Sequence, residues 1–271
     1  MDSDSSLNIV IVVQARTGSS RLPGKIMLPL SGEPLLVRMM ERVMASKVAT
    51  NFVVATSTDE EDNEVEDLCV DYGYNFFRGD PENLLDRHYK AGLAHNAHIV
   101  VKIPSDCPLI DPKVIDKILT HFLDNRDKFD FVSNLHPATY PDGNDVEVMP
   151  MNVLKVACEN ALLNMELEHT TPYIWERPDE FRIGNVEWET GLDYSMSHRF
   201  TIDYREDYEF IKAVYDELYE DNKIFGLDDI LKLLDEKPEI MDLNKKYVGV
   251  NWYRDHLEDL NTISPDDTRQ V

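Results

Sequence analysis

The chain has 271 residues, 42% of them hydrophobic, enough for a packed core in one large domain or two small ones, which excludes disorder throughout. Its net charge of −25 argues against nucleic acid as a general partner, since phosphate backbones need a basic field, and it disfavours anionic membranes. An anionic substrate would need a local basic pocket within this acidic molecule.

Taken in chain order, Met1 to Ser6 is polar and expected to be flexible. Ile9-Val10-Ile11-Val12-Val13 is a β-branched run of the kind buried on both faces in a parallel sheet. A polar loop, Gln14 to Lys25, follows. Arg16, Arg21 and Lys25 are the only charged side chains between Ser5 and Gly32. Small residues let backbone N–H groups close around an anion, so the loop reads as a phosphate cradle. It is not a P-loop, because five residues separate Gly18 from Gly24-Lys25 and Ile26 stands where Ser or Thr is needed. No Gly-x-Gly-x-x-Gly follows the strand either.

Helical stripes at Pro34–Ser46, Asp59–Asp71 and Glu82–Ala94 alternate with strands at Phe52–Thr56, Asn75–Phe77 and His98–Val101. This order predicts a mostly parallel sheet with helices on both faces and ligands at the carboxyl ends of its strands. Asp111-Pro112 reads as a helix cap followed by proline at the first helical position. Beyond Asp130 the pattern changes. Strands are expected at Phe131–Ser133 and Val146–Met149 around a Pro-Asp-Gly turn, and helices at Asn152–Leu163 and Glu168–Trp175. Alternation through Phe181–Trp188 suggests a mixed sheet. A strand at Arg199–Asp203 leads into a helix from Glu206 to Tyr219, with Asp207 in its first turn, where a negative charge suits the macrodipole. Leu227–Leu234 is helical, and Ser264–Val271 is expected to fray.

Cys69, Cys107 and Cys158 are odd in number and lack Cys-x-x-Cys spacing, so neither a disulfide framework nor a zinc site is expected. The start of the chain lacks the cationic region of a signal peptide, and no apolar run approaches the ~20 residues that span a bilayer. A cytoplasmic location is the expectation.

Ala15-Arg16-x-x-Ser19-x-Arg21-Leu22-Pro23-Gly24-Lys25 closely resembles the opening motif of the cytidylyltransferases that activate acidic sugars, such as CMP-KDO synthetase. Gln14 before Ala15, Tyr140-Pro141-Asp142-Gly143-Asn144-Asp145-Val146-Glu147-Val148 and Glu168-His169-Thr170-Thr171-Pro172-Tyr173 resemble the SpsF (spore coat polysaccharide biosynthesis) branch. The resemblance runs from about Asn8 to Val214 and implies a three-layer α/β fold of the nucleotide-diphospho-sugar transferase type; the domain is expected to extend over residues 7–254, followed by a C-terminal tail at 255–271. It implies transfer of CMP from CTP to a sugar, an acidic one in the family, with release of pyrophosphate for surface polysaccharide or glycan synthesis. Related enzymes are often homodimers, and the same is expected here.

Ala15, Arg16, Ser19, Arg21 and Lys25 would then bind the nucleotide, with Arg21 and Lys25 stabilising the departing pyrophosphate. Arg87, in Leu84-Leu85-Asp86-Arg87, matches a segment near the nucleotide. A triphosphate brings about four negative charges, so magnesium is expected, held by a few carboxylates and phosphate oxygens. Asp106, just past a buried strand, and Asp203, in a late Ile-Asp-x-x-x-Asp segment, match the family's metal-binding aspartates. Asp145 and Glu147, projecting to one face of a strand, and His169 are candidates for acceptor binding. The rival enzyme class is a glycosyltransferase of similar architecture. Its usual Asp-x-Asp motif occurs here only as Asp2-Ser3-Asp4, within the polar terminus.

Overall fold

The structure is a computed structural model that describes residues 7–269. The segment 1–6, read above as flexible and carrying Asp2-Ser3-Asp4, and residues 270 and 271 lie outside the described residues. The strands are β1 (Ile9–Gln14), β2 (Pro29–Leu30), β3 (Glu33–Pro34), β4 (Asn51–Ser57), β5 (Asn75–Gly79), β6 (Ile99–Pro104), β7 (Phe131–Ser133), β8 (Glu147–Pro150) and β9 (Ile183–Asn185). Seven of them form one sheet in the order β5-β4-β1-β6-β8-β7-β9, while β2 and β3 make a small separate hairpin. All neighbours in the large sheet run parallel except β8, which is antiparallel to both β6 and β7.

The apolar run in β1 explains its central position, because both of its faces are covered. Ile9, Ile11 and Val13 pack with α1 (Leu35–Val43), α2 (Asn63–Tyr72), α4 (Pro112–Asp124), α8 (Arg205–Leu218) and α9 (Leu227–Glu236). Val10 and Val12 face the opposite layer, formed by α3 (Leu84–Ala94), α5 (Met151–Asn160), α6 (Asn164–His169) and α7 (Pro172–Trp175). The three-layer α/β expectation is met. Asp111 caps α4 as predicted, accepting from the Lys113 N–H at 2.8 Å, and it also accepts from Leu227 N–H at 2.6 Å. No helix among the described residues is long and apolar enough to cross a membrane.

Four expectations need correction. Arg199–Asp203 is extended but adds no strand to the sheet; it makes one isolated bridge to Asp142, with Phe200 N–H donating to Asp142 O at 2.7 Å. Its partner is a turn, in which Gly143 at φ +104° lies so close that a Cβ there would fall 2.7 Å from Phe200 C. The helix expected at Glu168–Trp175 is two helices, broken at Thr170 with φ 73°, and Pro172 opens the second. Strand β8 begins at Glu147, so Asp145 lies in the preceding loop and the two acids do not share a strand face. The tail through residue 269 is mostly exposed but tied down at defined points and not frayed. Glu176 accepts from Asn261 N–H at 2.6 Å and Thr262 N–H at 2.9 Å, Leu260 is buried, and buried Thr268 accepts from Asn251 N–H at 3.0 Å. Within the alternation at Phe181–Trp188, Ile183–Asn185 forms β9 and pairs parallel with β7.

Candidate active site

In the β1–β6 register Gln14 lies opposite Pro104, so the loops that follow the two strands leave the same edge of the sheet. Ala15 N–H donates to Ala55 O at 3.0 Å and carries the pairing one residue past β1. The loop then closes on itself, because Thr17 O accepts from both Ser19 N–H at 2.8 Å and Gly24 N–H at 2.9 Å. Gly24 sits at φ 68°, in the left-handed region that glycine occupies without strain.

Asp62 anchors this loop from outside. One carboxylate oxygen accepts from Thr17 N–H at 2.7 Å and Thr17 O–H at 2.9 Å, and the other accepts from Ser57 N–H at 3.2 Å and Ser57 O–H at 2.5 Å. Burial would raise its pKa, but these donors from Ser57 and Thr17 hold it below the usual carboxylate range. Asp62→Asn would turn an N–H₂ donor toward one of these donor pairs. The expected result is a loss of about 2 kcal/mol in denaturant unfolding, together with a raised KM for the nucleotide. An unchanged KM would remove Asp62 from any part in shaping the loop.

Four charged groups, Lys25, Arg21, Asp106 and Asp203, meet at the sheet edge. Lys25 Nζ lies 2.6 Å from Ile202 O, 3.1 Å from an Asp203 oxygen and 3.6 Å from an Asp106 oxygen. Arg21 Nη2 lies 2.8 Å from the same Asp203 oxygen. The two aspartates, far apart in sequence, are stitched together by backbone. Ile202 N–H donates to Asp106 O at 2.8 Å, and Thr201 O–H donates to the same oxygen at 3.0 Å. Burial would raise the Asp203 pKa, but Lys25, Arg21 and Arg199 outweigh it and keep the carboxylate ionised far into acid.

Behind Asp203 stands Arg199, whose side chain is only 1% exposed. It donates to Asp207 at 2.9 Å, to Asp142 at 3.2 Å, to Asp203 at 3.2 Å and to Val250 O at 2.7 Å. Asp207, expected to be structural in the first turn of α8, also accepts from the Asp203 and Tyr204 N–H groups at 2.9 and 3.0 Å. The Asp203 carboxylate is therefore fixed from both sides. A guanidinium buried against several carboxylates is worth keeping intact, because removing it would leave those charges uncompensated.

A family model for cytidylyltransferases matches residues 10–229. The chain belongs to the cytidylyltransferase family. It is 32% identical over 237 residues to the spore coat polysaccharide biosynthesis protein SpsF of Bacillus subtilis, covering 86% of this chain and 96% of that one. Among solved structures, a cytidylyltransferase from Leptospira borgpetersenii serovar Hardjo-bovis superposes with a TM-score of 0.81 at 34% identity, covering 87% of this chain and 97% of the other. A CMP:2-keto-3-deoxy-manno-octonic acid synthetase complexed with CTP shares the fold, with a TM-score of 0.60 at 18% identity over 78% of this chain and 99% of the other.

The remaining candidates in this cytidylyltransferase are placed as follows. Arg16 is exposed on the loop, and Ser19 accepts only a long bond from Leu22 N–H at 3.4 Å. Arg87 is buried and donates to Asp80 O at 2.9 Å and Pro81 O at 3.1 Å, so it braces the turn ahead of α3. Asp145 lies in the loop just before β8. Burial first, then the charges of Asp106 and Glu147, push its pKa up to about 7. Glu147 is buried and bound to Lys102 and Thr171, which closes it off from direct contact with a substrate. His169 stacks on Trp252 with ring centroids 3.7 Å apart, and burial, then Lys102, His256 and Arg21, lower its pKa to about 3.

Sequence reasoning missed Asp62, Asp142 and Arg199. Arg199 carried one signal, a cation followed by the apolar Phe200 and Ile202 of a segment that ends in aspartate. Asp62 carried none, because it lies in an acidic run that reads as a solvated helix face.

Proposed function

We propose that this cytidylyltransferase transfers CMP from CTP to a hydroxyl of a sugar. The acceptor oxygen bonds to the α-phosphorus as the bond to the β-phosphate oxygen breaks, and pyrophosphate leaves. The observation that carries the reading is the convergence of Lys25 and Arg21 on Asp203, with Asp106 beside them, at the mouth of a closed, glycine-bearing loop.

Each group has a role that follows from its chemistry. Lys25 supplies a compact point charge at the centre of the edge, and Arg21 supplies a planar fork suited to two phosphate oxygens. The backbone of the loop, with Ala15, Arg16 and Ser19, binds and orients the triphosphate. Arg87 acts through the turn that it braces beside this loop. Asp106 and Asp203 offer hard carboxylate oxygens on one side of the site, the donor chemistry that magnesium takes, so they would hold it. When bound, the metal would offset triphosphate charge and polarise the α-phosphate. Positioning and charge neutralisation then account for most of the rate enhancement. Cytosine as the base follows the family, as does a part in surface polysaccharide or glycan synthesis. Pyrophosphate release from CTP on addition of sugar acceptors tests the reading, because a glycosyltransferase using a nucleotide sugar releases none.

A further inference from the structure

If CMP transfer is the reaction, the acceptor must approach from beside the edge that carries Asp106 and Asp203. A cavity of about 570 Å³ opens there, bounded by the turn after β7, the segment after β9 and the C-terminal tail. It adjoins the catalytic edge through shared walls. Asp142, which lines it, is held by the same Arg199 that holds Asp203, and Asp145, which also lines it, follows Asn144, whose side chain accepts from Asp111 N–H at 3.1 Å in the segment that follows Asp106. Its volume lies within the ~300–1,000 Å³ usual for small-molecule sites, and a monosaccharide fits with room for water.

Asp142, Asp145, Asp193, Asp266 and Asp267 line this cavity, and none of its described lining residues is Lys or Arg. Asp142 is already paired with Arg199, and burial raises the Asp145 pKa to about 7, so that an approaching cation would draw it into its ionised form. The one titratable base among them, His136, is uncharged at neutral pH because burial lowers its pKa to about 4. The cations behind the wall already have partners, Arg199 on three carboxylates and Lys102 on Glu147. Two of the aspartates keep acceptor capacity. Asp145 takes one long bond, from Gly143 N–H at 3.3 Å, and the carboxylate of exposed Asp266 takes none among the described residues. Trp175 and Tyr253 also line the wall. An acceptor that put a carboxylate into this space would meet aspartate side chains and no lysine or arginine among the described lining residues.

We infer that the acceptor of this enzyme is an aminated sugar that presents its ammonium group to this cavity, where Asp145 and Asp266 receive it. The inference rests on the CMP-transfer reading for the place of the acceptor, and on the cavity's own lining for its class. Any acidic group of the same sugar would have to point away, toward Arg21 and Lys25.

Affinity for simple probes tests this without turnover. D-glucosamine, D-glucose and D-glucuronate would be titrated into the full-length protein at pH 7 and followed by saturation-transfer NMR. Glucosamine should bind about tenfold more tightly than glucose, the scale of one charge-assisted hydrogen bond, and glucuronate should be weakest. Asp145→Asn and Asp266→Asn should each erode that preference while leaving glucose unchanged. Asp266 is exposed, so its variant keeps the test sound even where Asp145→Asn folds poorly. Equal binding of the three probes, or a preference for glucuronate, overturns the inference. If that result came with pyrophosphate release on non-aminated acceptors, the transfer reading would stand and this inference alone would fall. Amine preference with no pyrophosphate from any acceptor would instead remove the transfer reading.

Discussion

Lys25→Ala is expected to lower CTP-dependent pyrophosphate release at least about a hundredfold, the effect of losing one preorganised charge at a reacting phosphate. The same result is expected of Asp106→Ala. Lys25 Nζ lies 3.1 and 3.6 Å from oxygens of Asp203 and Asp106, and its side chain is only 11% exposed. Removing that ammonium leaves two carboxylates facing an incoming triphosphate with no charge between them. Arg21 and Arg199 remain on Asp203, so the fold should survive, and near-UV circular dichroism checks that it does. Arg21→Lys should also be impaired, because an ammonium cannot reproduce the fork. Arg182→Ala is the control, as it breaks an exposed pair with Asp130 remote from the site and should leave the rate unchanged. Near-normal rates in both Lys25→Ala and Asp106→Ala would reject this assignment of the site.

The second large effect concerns acid. Burial, ahead of every other cause, lowers the pKa of His88 to about 3, His136 to about 4 and His169 to about 3, against 6.5 for a free histidine. As pH falls below about 6.5 the unfolded chain takes up protons on these rings and the folded chain does not. Stability is therefore complete above that pH and lost on the way down, to about pH 4 for His136 and to about pH 3 for His88 and His169. Each ring contributes a slope of about 1.4 kcal/mol per pH unit within that window. Urea unfolding at pH 8, 7, 6 and 5 should show the midpoint falling steeply below pH 6.5. The net charge of −25 works the other way, since partial protonation of carboxylates relieves self-repulsion. A midpoint that stays flat or rises from pH 7 to pH 5 would show that the three rings are solvated.

The loop after β1 was legible in the sequence because its chemistry is local. Three cations, two glycines and a proline stand within a dozen residues after a buried strand, and local backbone bonds such as Gly24 N–H to Thr17 O close it. Asp106 and Asp203 were legible for a different reason. Both follow β-rich stretches, and the end of such a stretch in an α/β fold is where ligands gather. What holds the two together could not be read, because it runs through contacts between distant residues. Arg199 meets Asp142 across 57 positions, and Lys25 meets Ile202 across 177.

The apolar Phe200 and Ile202 suggested a strand, yet their hydrogen bonds go to the Asp106 and Asp142 loops and not to the sheet. The tail looked loose because it is polar and carries proline. In the structure Ser264 caps a short turn, and Glu176 gathers Asn261 and Thr262 from a separate part of the chain. Composition shows that such a segment is hydrophilic; whether it finds partners depends on tertiary placement.

The account turns on CTP as donor and a sugar hydroxyl as nucleophile. The most direct measurement is pyrophosphate release by the full-length chain with magnesium, each of the four nucleoside triphosphates in turn, and a panel of octulosonic and nonulosonic acids with their aminated counterparts. The account predicts release with CTP alone among the nucleotides, dependent on acceptor and strongest with an aminated sugar. Equal release with UTP or ATP, or no release from CTP with any acceptor, would contradict it.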